Sequence, residues 1–395
     1  MKTIAHVAAI EPDKAAIAAI VLGVTAFSVA QGLTYPLIAL NLEARGLPAW
    51  QIGLNGAAFA AGLATTTFLI GWLTKRVRGD WLIVLGLLGC SLALALLWLT
   101  HSVLFWLPIR FGLGVAASLV FIMSEAWLNA ATPETLRGRV SGLYGFGLCL
   151  GFAAGPLAIP VLGTSSSFAF GILAIYVALV AFATVVLSRR AQTVPAPSPA
   201  GALWHFLRHD PILVLMVFAF GFADIAAISG MPVYLIRSGQ SDTLAALSVS
   251  VIALPTAIAQ PFVGYLLDRV ARRRVAIGAS LLTALSFLCV PLLESAAGIL
   301  ADFALLGVGS FALYTSALTL LGERYSGGLL VAGSAAFSIA YASGSGAGSA
   351  AIGLAMDTLG LAAGPACTGL ILLALTGLLL VKDPGALPAA PLDAG

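Results

Sequence analysis

The stretch Gly71-Trp72-Leu73-Thr74-Lys75-Arg76-Val77 decides the fold, because the chain repeats it as Gly264-Tyr265-Leu266-Leu267-Asp268-Arg269-Val270. Both copies lie where a long apolar run ends and a basic loop begins. The same offset aligns Gly46 with Gly239 and Gln31 with Asp224. A chain of two similar, mostly apolar halves is typical of membrane proteins built from internal repeats.

The composition predicts that most of the chain lies in a lipid bilayer. Of its 395 residues, 60% are hydrophobic and 9% are charged, whereas soluble domains have about 25% charged residues. Charge-free runs such as 15–42 and 47–74 exceed the roughly 20 residues that a membrane-spanning helix needs. The 43 glycines suit helix interfaces in lipid, where small residues let backbones approach closely.

We predict an all-α membrane protein with twelve transmembrane helices in two six-helix repeats around a central cavity. The predicted spans are 15–42, 48–75, 81–99, 104–131, 139–162, 166–188, 212–236, 242–267, 274–293, 297–322, 327–356 and 359–381. The first half covers 1–188 and the second covers 212–381. A proline-rich linker at 189–211 joins them, and a tail follows at 382–395.

Lys and Arg residues predict the orientation of the chain. The termini and the loops after predicted helices 2, 4, 6, 8 and 10 hold nearly all of them, while the opposite side holds only Arg45 and Arg237. Basic loops stay on the cytoplasmic side. We therefore expect a multi-pass protein of a bacterial inner (plasma) membrane, with both termini, the linker and the tail in the cytoplasm.

Neither a cofactor nor a metal is expected. The four cysteines lie on separate predicted helices without metal or redox spacing. His205 and His209 are spaced either for a metal or for an interfacial helix turn, and we favour the turn. No G-x-x-x-x-G-K-[ST] motif occurs, which excludes ATP as the energy source. The net charge of +3 does not suggest nucleic acid as a partner.

Six helices plus six, cytoplasmic termini and a long middle loop resemble the major facilitator superfamily over essentially the whole chain. The loop signature of that family reads G-x-x-x-D-R-x-x-R-R, and its acidic residue helps to latch the cytoplasmic ends of neighbouring helices. The second half matches it at Gly264, Asp268, Arg269, Arg272 and Arg273. The first half keeps Gly71 and Arg76 but has Lys75 at the acidic position, so its latch must differ, with Asp80 as a candidate. Alternatively, both loops are simple positive-inside anchors.

Predicted helix 5 carries a second resemblance. Gly142, Gly151, Gly155 and Pro156 follow the g-x8-G-x3-G-P spacing of the superfamily's antiporter motif, although the x-x-G-G continuation is missing. The resemblance implies export by antiport, and ordinary small-residue packing is the alternative.

Predicted helix 4 carries a third resemblance. Arg110 and Gly114 resemble the R-x-x-x-G portion of a helix-4 motif associated with proton-coupled members. The segment Ser124-Glu125-Ala126-Trp127-Leu128-Asn129 is similar to a bacterial subgroup of the same superfamily.

Three ionisable residues inside the predicted spans are candidates for proton coupling: Asp224, Glu125 and Arg110. A charge at the bilayer centre costs about 2.5–3.5 kcal/mol or more, so each of them needs a role. Asp224 is the best proton carrier, because an apolar cavity favours its neutral form, and a structural hydrogen bond is the alternative. Glu125 either carries a proton or ties helix 4 to the basic loops. Arg110 binds an anionic substrate, tunes a carboxylate or bonds to carbonyls.

Polar and aromatic residues on the predicted spans are candidates for lining the cavity. They are Gln31, Tyr35, Asn55, Asn129, Tyr234, Gln260, Tyr314 and Tyr341. So few charges favour an amphipathic or lipophilic substrate over a sugar. Glu294, Asp302 and Asp357 lie near helix ends and are expected to be solvated.

These features predict a secondary active transporter and not an enzyme. The favoured function is proton-coupled antiport that exports small amphipathic organic compounds by alternating access, performed by a monomer. One alternative is a proton-coupled uptake symporter of an organic anion, anchored by Arg110. The other is a membrane sensor that has this fold but does not transport.

Overall fold

The computed structural model describes residues 13–100, 102–132, 137–163, 168–191, 193, 210–324 and 327–382. Most of the predicted linker, its two histidines and nearly all of the tail therefore lie outside the described residues. Twelve long helices account for most of the described chain, and we number them in chain order. They are α1 (Lys14–Ala44), α2 (Ala49–Leu73), α3 (Gly79–Leu99), α4 (Val103–Ala131), α5 (Arg137–Ala154), α6 (Phe168–Ser188), α7 (Pro211–Ile225), α8 (Asp242–Arg269), α9 (Arg272–Cys289), α10 (Ala296–Arg324), α11 (Gly327–Thr358) and α12 (Ala363–Val381).

Three of these helices change their winding, and two of them then continue. α5 passes through a 3-10 turn at Gly155–Ala158 into a last turn at Ile159–Leu162. α7 passes through a π-helical segment at Ala226–Gly230 into Met231–Arg237. α9 ends in a 3-10 turn at Val290–Leu292.

The predicted all-α fold with twelve helices is confirmed. Within the described residues, eleven helices are long and apolar enough to cross a membrane. The other one, α11, has 32 residues, is rich in Gly, Ala and Ser, and packs against α2 and α7. A helix enclosed by its neighbours meets little lipid, which explains why it can be less apolar.

The internal repeat is visible at the turns that end α1 and α7. Gly46 follows α1 and Gly239 follows the last turn of α7, with φ angles of +75° and +89°. Residues with a Cβ avoid this left-handed region, and glycine therefore ends helices there at little cost. The two glycines that the repeat aligns thus perform the same task in each half.

Glycines bring α5 into close contact with α1. A Cβ added at Gly151 would overlap the carbonyl oxygen of Thr25, and one added at Gly155 would overlap the backbone of Val29 and Leu33. Pro156 lies in the 3-10 turn where α5 changes its winding. The surroundings of Gly142, the first glycine of the same motif, lie outside the described side chains.

The two halves pack against each other at one end of the bundle, which we call the closed end. α2 and α11 meet there, and their backbones approach so closely that a Cβ on Gly53 would overlap the carbonyl oxygen of Ser349. The C-terminal ends of α2, α4, α6, α8 and α10 lie at the other end, which we call the basic end. Among the described residues, α4 and α10 do not pack closely against each other at this end, and we call the region between them the space between the halves.

Candidate functional site

Asp224 lies at mid-depth between the two ends of the bundle. It is 13 residues after Pro211 and 13 residues before Arg237, the limits of the membrane-crossing part of α7. Its side chain is 9% exposed, and its Oδ2 accepts a 2.8 Å hydrogen bond from the Tyr341 hydroxyl group of α11. Gln31, its partner in the repeat, is buried at the matching depth of α1, 13 residues before Ala44.

The π-helical segment of α7 begins two residues after Asp224. It covers Ala226–Gly230, and a Cβ added at Gly230 would crowd the side chain of Ile352 in α11. Single π turns inside α-helices occur frequently at functional sites. This segment could not be predicted from the sequence, because the apolar pattern of α7 runs through it without interruption.

Aromatic rings form a wall beside Asp224. The Phe220 ring stacks on Tyr314 of α10 with centroids 4.8 Å apart, and it lies 5.6 Å from the Tyr341 ring. Phe311 packs edge-on against Phe220 at 5.1 Å. Phe220 was not among the predicted cavity residues because it is apolar, although its position four residues before Asp224 puts both on one helix face.

Arg110 is buried in α4 of the first half with a side chain that is 2% exposed. Its guanidinium carbon lies 4.7 Å from the ring centroid of Phe59 and 5.9 Å from that of Tyr35. Within the described residues, its Nε and Nη1 have no hydrogen-bond partner. Tyr35 interacts electrostatically with Arg110 of the first half and with Asp224 of the second half.

Glu125 faces the space between the halves. Its side chain is exposed, and it interacts electrostatically with Tyr144 of α5 and Tyr314 of α10. It follows Arg110 by 15 residues in α4, which places it about 22 Å nearer the basic end. Arg110, Asp224 and Glu125 thus occupy three different depths.

The other predicted cavity residues are spread along the bundle. Gln260 of α8 accepts a 2.9 Å hydrogen bond from the Thr315 hydroxyl group of α10. Asn55 is buried in α2, and Tyr234 is buried in the last part of α7 near the closed end. The side chain of Asn129 lies outside the described part of the chain.

The repeated loop signature builds the same contact in both halves. The Arg76 guanidinium lies over the Trp72 ring at 4.2 Å, and Arg269 lies over the Tyr265 ring at 5.1 Å. Asp80, the candidate latch residue of the first half, accepts hydrogen bonds of 3.2 and 3.0 Å from Arg78, two residues away. This bond therefore joins neighbouring residues of the same loop.

The remaining motif residues of the second half bind helix ends or stay exposed. Arg272 forms an ion pair with Glu323 of α10. Arg273 donates hydrogen bonds of 2.8 and 2.6 Å to the carbonyl groups of Leu379 and Leu380 at the end of α12. Asp268 and Lys75, which occupies the same position in the first half, are exposed and form no ion pair among the described residues.

Asp357 is exposed, as expected, but hydrogen bonds also hold its carboxylate in place. Asp357 Oδ1 accepts a 2.8 Å hydrogen bond from Arg237, and its Oδ2 accepts one of 2.7 Å from the backbone N–H of Trp50. Arg237 also donates bonds of 2.8 and 2.9 Å to Glu43 and one of 3.1 Å to the carbonyl group of Leu47. We call Glu43, Arg237 and Asp357 the closed-end latch, because they join α1 and α2 to α7 and α11.

Asp302 departs from the expectation of a solvated carboxylate. Its side chain is half-buried, and its Oδ2 is buried without a hydrogen-bond partner among the described residues. Glu294 is exposed, as expected.

One sequence signal could have revealed the closed-end latch. Basic residues are rare on that side of the membrane, where the sequence places only Arg237 and Arg45.

The sequence matches the profile of the family described as Major Facilitator Superfamily over residues 20–349 and 215–393. It is 27% identical over 352 residues to the "Uncharacterized MFS-type transporter YfkF" of Bacillus subtilis, covering 86% of this chain and 88% of the relative. It is 26% identical over 360 residues to an "Uncharacterized MFS-type transporter" of Yersinia pseudotuberculosis, covering 89% and 87%.

Solved structures share the fold at low identity. A bacterial homologue of the human lysosomal transporter Spinster, in an inward-facing and unoccupied conformation, has a TM-score of 0.73 at 16% identity, covering 93% of this chain and 94% of that one. The nucleoside transporter NupG has a TM-score of 0.76 at 11% identity, covering 93% and 98%. Because the family profile extends across both halves, the chain belongs to the major facilitator superfamily of membrane transporters, and it is not an enzyme.

Proposed function

We propose that the chain exports small amphipathic organic compounds across a bacterial inner membrane in exchange for protons. The basic end and both termini face the cytoplasm, following the positive-inside rule. In this orientation the space between the halves opens towards the cytoplasm and the closed end seals it from outside. The two six-helix halves rock about the central site to alternate the access.

The environment of Asp224 is the observation that carries the proposal. It lies at mid-depth, is almost buried, and bonds to a neutral phenol rather than to a Lys or Arg side chain. No cation holds the carboxylate in its charged form among the described residues, so it can bind and release a proton as the access alternates. Glu125, nearer the basic end, is a second proton-binding group facing the same space.

The aromatic wall beside Asp224 supports the proposal that the substrates are amphipathic compounds. Phe220 and Tyr314 present apolar ring surface beside Asp224. Rings of this kind bury a large apolar area and orient a flat or hydrophobic ligand. A sugar would need more hydrogen-bonding groups than this part of the site offers.

The test is transport in proteoliposomes with and without an imposed pH gradient. The substrate is a compound selected by a thermal-shift screen of lipophilic cations, organic anions and siderophore-like compounds against the purified protein. Asp224→Asn resembles the protonated acid, so gradient-driven transport is lost while counterflow exchange survives. Glu294→Gln, an equally conservative change at an exposed carboxylate, retains both activities. Full gradient-driven transport by Asp224→Asn would remove Asp224 as the proton carrier.

A second candidate function is proton-coupled uptake of an organic anion. The observation that favours it is Arg110, whose unpartnered guanidinium N–H groups could bind an anion. Accumulation of substrate inside vesicles along an inward proton gradient would distinguish uptake from export.

A further inference from the structure

We propose that the substrate is amphoteric, with an acidic group that binds Arg110 and a basic group that binds Asp224. This inference rests on the proposed function, because it names the substrate class of the same site. Arg110 is a buried charge that no carboxylate balances within the described residues.

Arg110 is built to receive an anion. Two of its three nitrogens are buried without a hydrogen-bond partner, while the Phe59 ring at 4.7 Å fixes the position of the guanidinium group. A buried charge with unsatisfied donors is strongly destabilising unless a partner arrives. A guanidinium group presents its donors as a rigid fork that fits a carboxylate, sulfonate or phosphate. The described residues of the chain provide no such group, so we assign it to the substrate.

Asp224 offers the opposite charge from the other half. Tyr341 occupies its Oδ2, and its Oδ1 has no hydrogen bond within the described residues. An amine of the substrate can donate to Oδ1 while its hydrophobic part lies against Phe220 and Tyr314. Aromatic faces beside a carboxylate also attract an ammonium group directly.

The depths of the two charges define the length of the substrate. Arg110 lies seven residues from the closed-end start of α4 at Val103, or about 10 Å. Asp224 lies 13 residues from Arg237, or about 20 Å. The two charges therefore differ in depth by about 10 Å, which is the least separation that the acidic and basic groups of the substrate can have. Tyr35 interacts electrostatically with both charges.

The order of charges along the space orients the molecule. Positive charge lies near the closed end at Arg110, and negative charge lies at mid-depth and towards the basic end at Asp224 and Glu125. A compound with only a basic group would leave Arg110 unpaired. A compound with only an acidic group would be repelled by the carboxylates of Asp224 and Glu125. The basic group competes with a proton for Asp224, which couples substrate release to protonation.

The test uses equilibrium binding of three matched probes to the purified full-length protein. ω-Aminooctanoic acid carries both charges at about the required separation, its methyl ester carries only the amine, and its N-acetyl derivative carries only the acid. Isothermal titration is expected to show at least tenfold tighter binding of the amphoteric probe than of either single-charge probe. In Arg110→Gln the preference over the methyl ester disappears, and in Asp224→Asn the preference over the N-acetyl derivative disappears.

Two further variants separate binding from folding. Arg110→Lys keeps the charge but loses the fork, so it retains an intermediate preference. Arg274→Gln makes the same chemical change as Arg110→Gln at an exposed position of the basic end and leaves the affinities unchanged. Equal affinity for the amphoteric probe and either single-charge probe, or no saturable binding of the amphoteric probe, would overturn the inference. These binding measurements use no pH gradient, so neither result bears on proton-driven export. The proteoliposome assay tests that proposal separately.

Discussion

Arg237 donates two hydrogen bonds of 2.8 and 2.9 Å to Glu43, and this pair joins the last turn of α7 to the last turn of α1. The same guanidinium group bonds Asp357, whose other oxygen receives the backbone N–H at the start of α2. A two-pronged contact of this kind is geometrically specific. It holds only while the two halves meet at the closed end, so it has to break for that end to open.

Arg237→Gln is therefore expected to open the closed end more often. The readout is a cysteine placed at Ser349, which is buried between α2 and α11, in a background without the four native cysteines. Purified protein should react several-fold faster with a maleimide when Arg237 is changed. Arg45→Gln is the control, since Arg45 lies at the same end but stacks on Trp106 of its own half. Equal rates in the variant and the parent would show that the ion pairs do not hold the halves together.

The glycines of α5 give a prediction about stability. Gly151→Ala would force a methyl group into the Thr25 backbone, and overpacking of this kind costs about 1–3 kcal/mol. Gly145→Ala lies on the same helix with open space around it, and it should be neutral or slightly stabilising because alanine favours helix. Thermal unfolding in detergent, followed by tryptophan fluorescence, compares the two. A lower Tm for Gly145→Ala than for Gly151→Ala would contradict the close contact with α1.

Asp268 gives a prediction about the basic end. It is exposed in the present arrangement, so we expect its latching role in the arrangement in which the basic end closes. Asp268→Asn changes the charge but not the size, and it should lower transport in proteoliposomes while leaving Tm unchanged. If Asp268→Asn transports normally and Lys75→Ala abolishes transport, the latch belongs to the first half instead.

The proposed orientation is tested by labelling in intact cells. Cysteines introduced at Gly46 and Ser241, in the turns of the closed end, should react with an impermeant thiol reagent added outside. Cysteines at Ala191 and Ala271, at the basic end, should react only after the cells are permeabilised. The opposite pattern would reverse the proposed topology.

The sequence was sufficient to predict the helices and the repeat, because both depend on local properties of the chain. Apolar length determines a membrane span, and Gly46 and Gly239 mark the same turn in both halves. Asp224 and Arg110 could be selected as candidates because ionisable residues are rare inside apolar segments.

Contacts between distant helices could not be predicted from one sequence. Glu43, Arg237 and Asp357 each look like an ordinary charge at a helix end, and nothing local shows that those three ends meet. Phe220 carries no chemical signal of its own, although it packs against both tyrosines beside Asp224. The partial burial of Asp302 could not be predicted for the same reason, since it depends on how α10 packs against α9.

The π-helical segment of α7 sets the angular phase between the two ends of that helix. A π turn amounts to one extra residue in an α-helix, and one residue corresponds to about 100° of rotation. Rewinding Ala226–Gly230 as regular α-helix with all of its residues kept would turn one flanking stretch against the other by that angle. Either Asp224 would lose Tyr341 or Arg237 would lose Glu43. The extra residue thus sets the rotation at which Asp224 meets Tyr341 and Arg237 meets Glu43 at the same time.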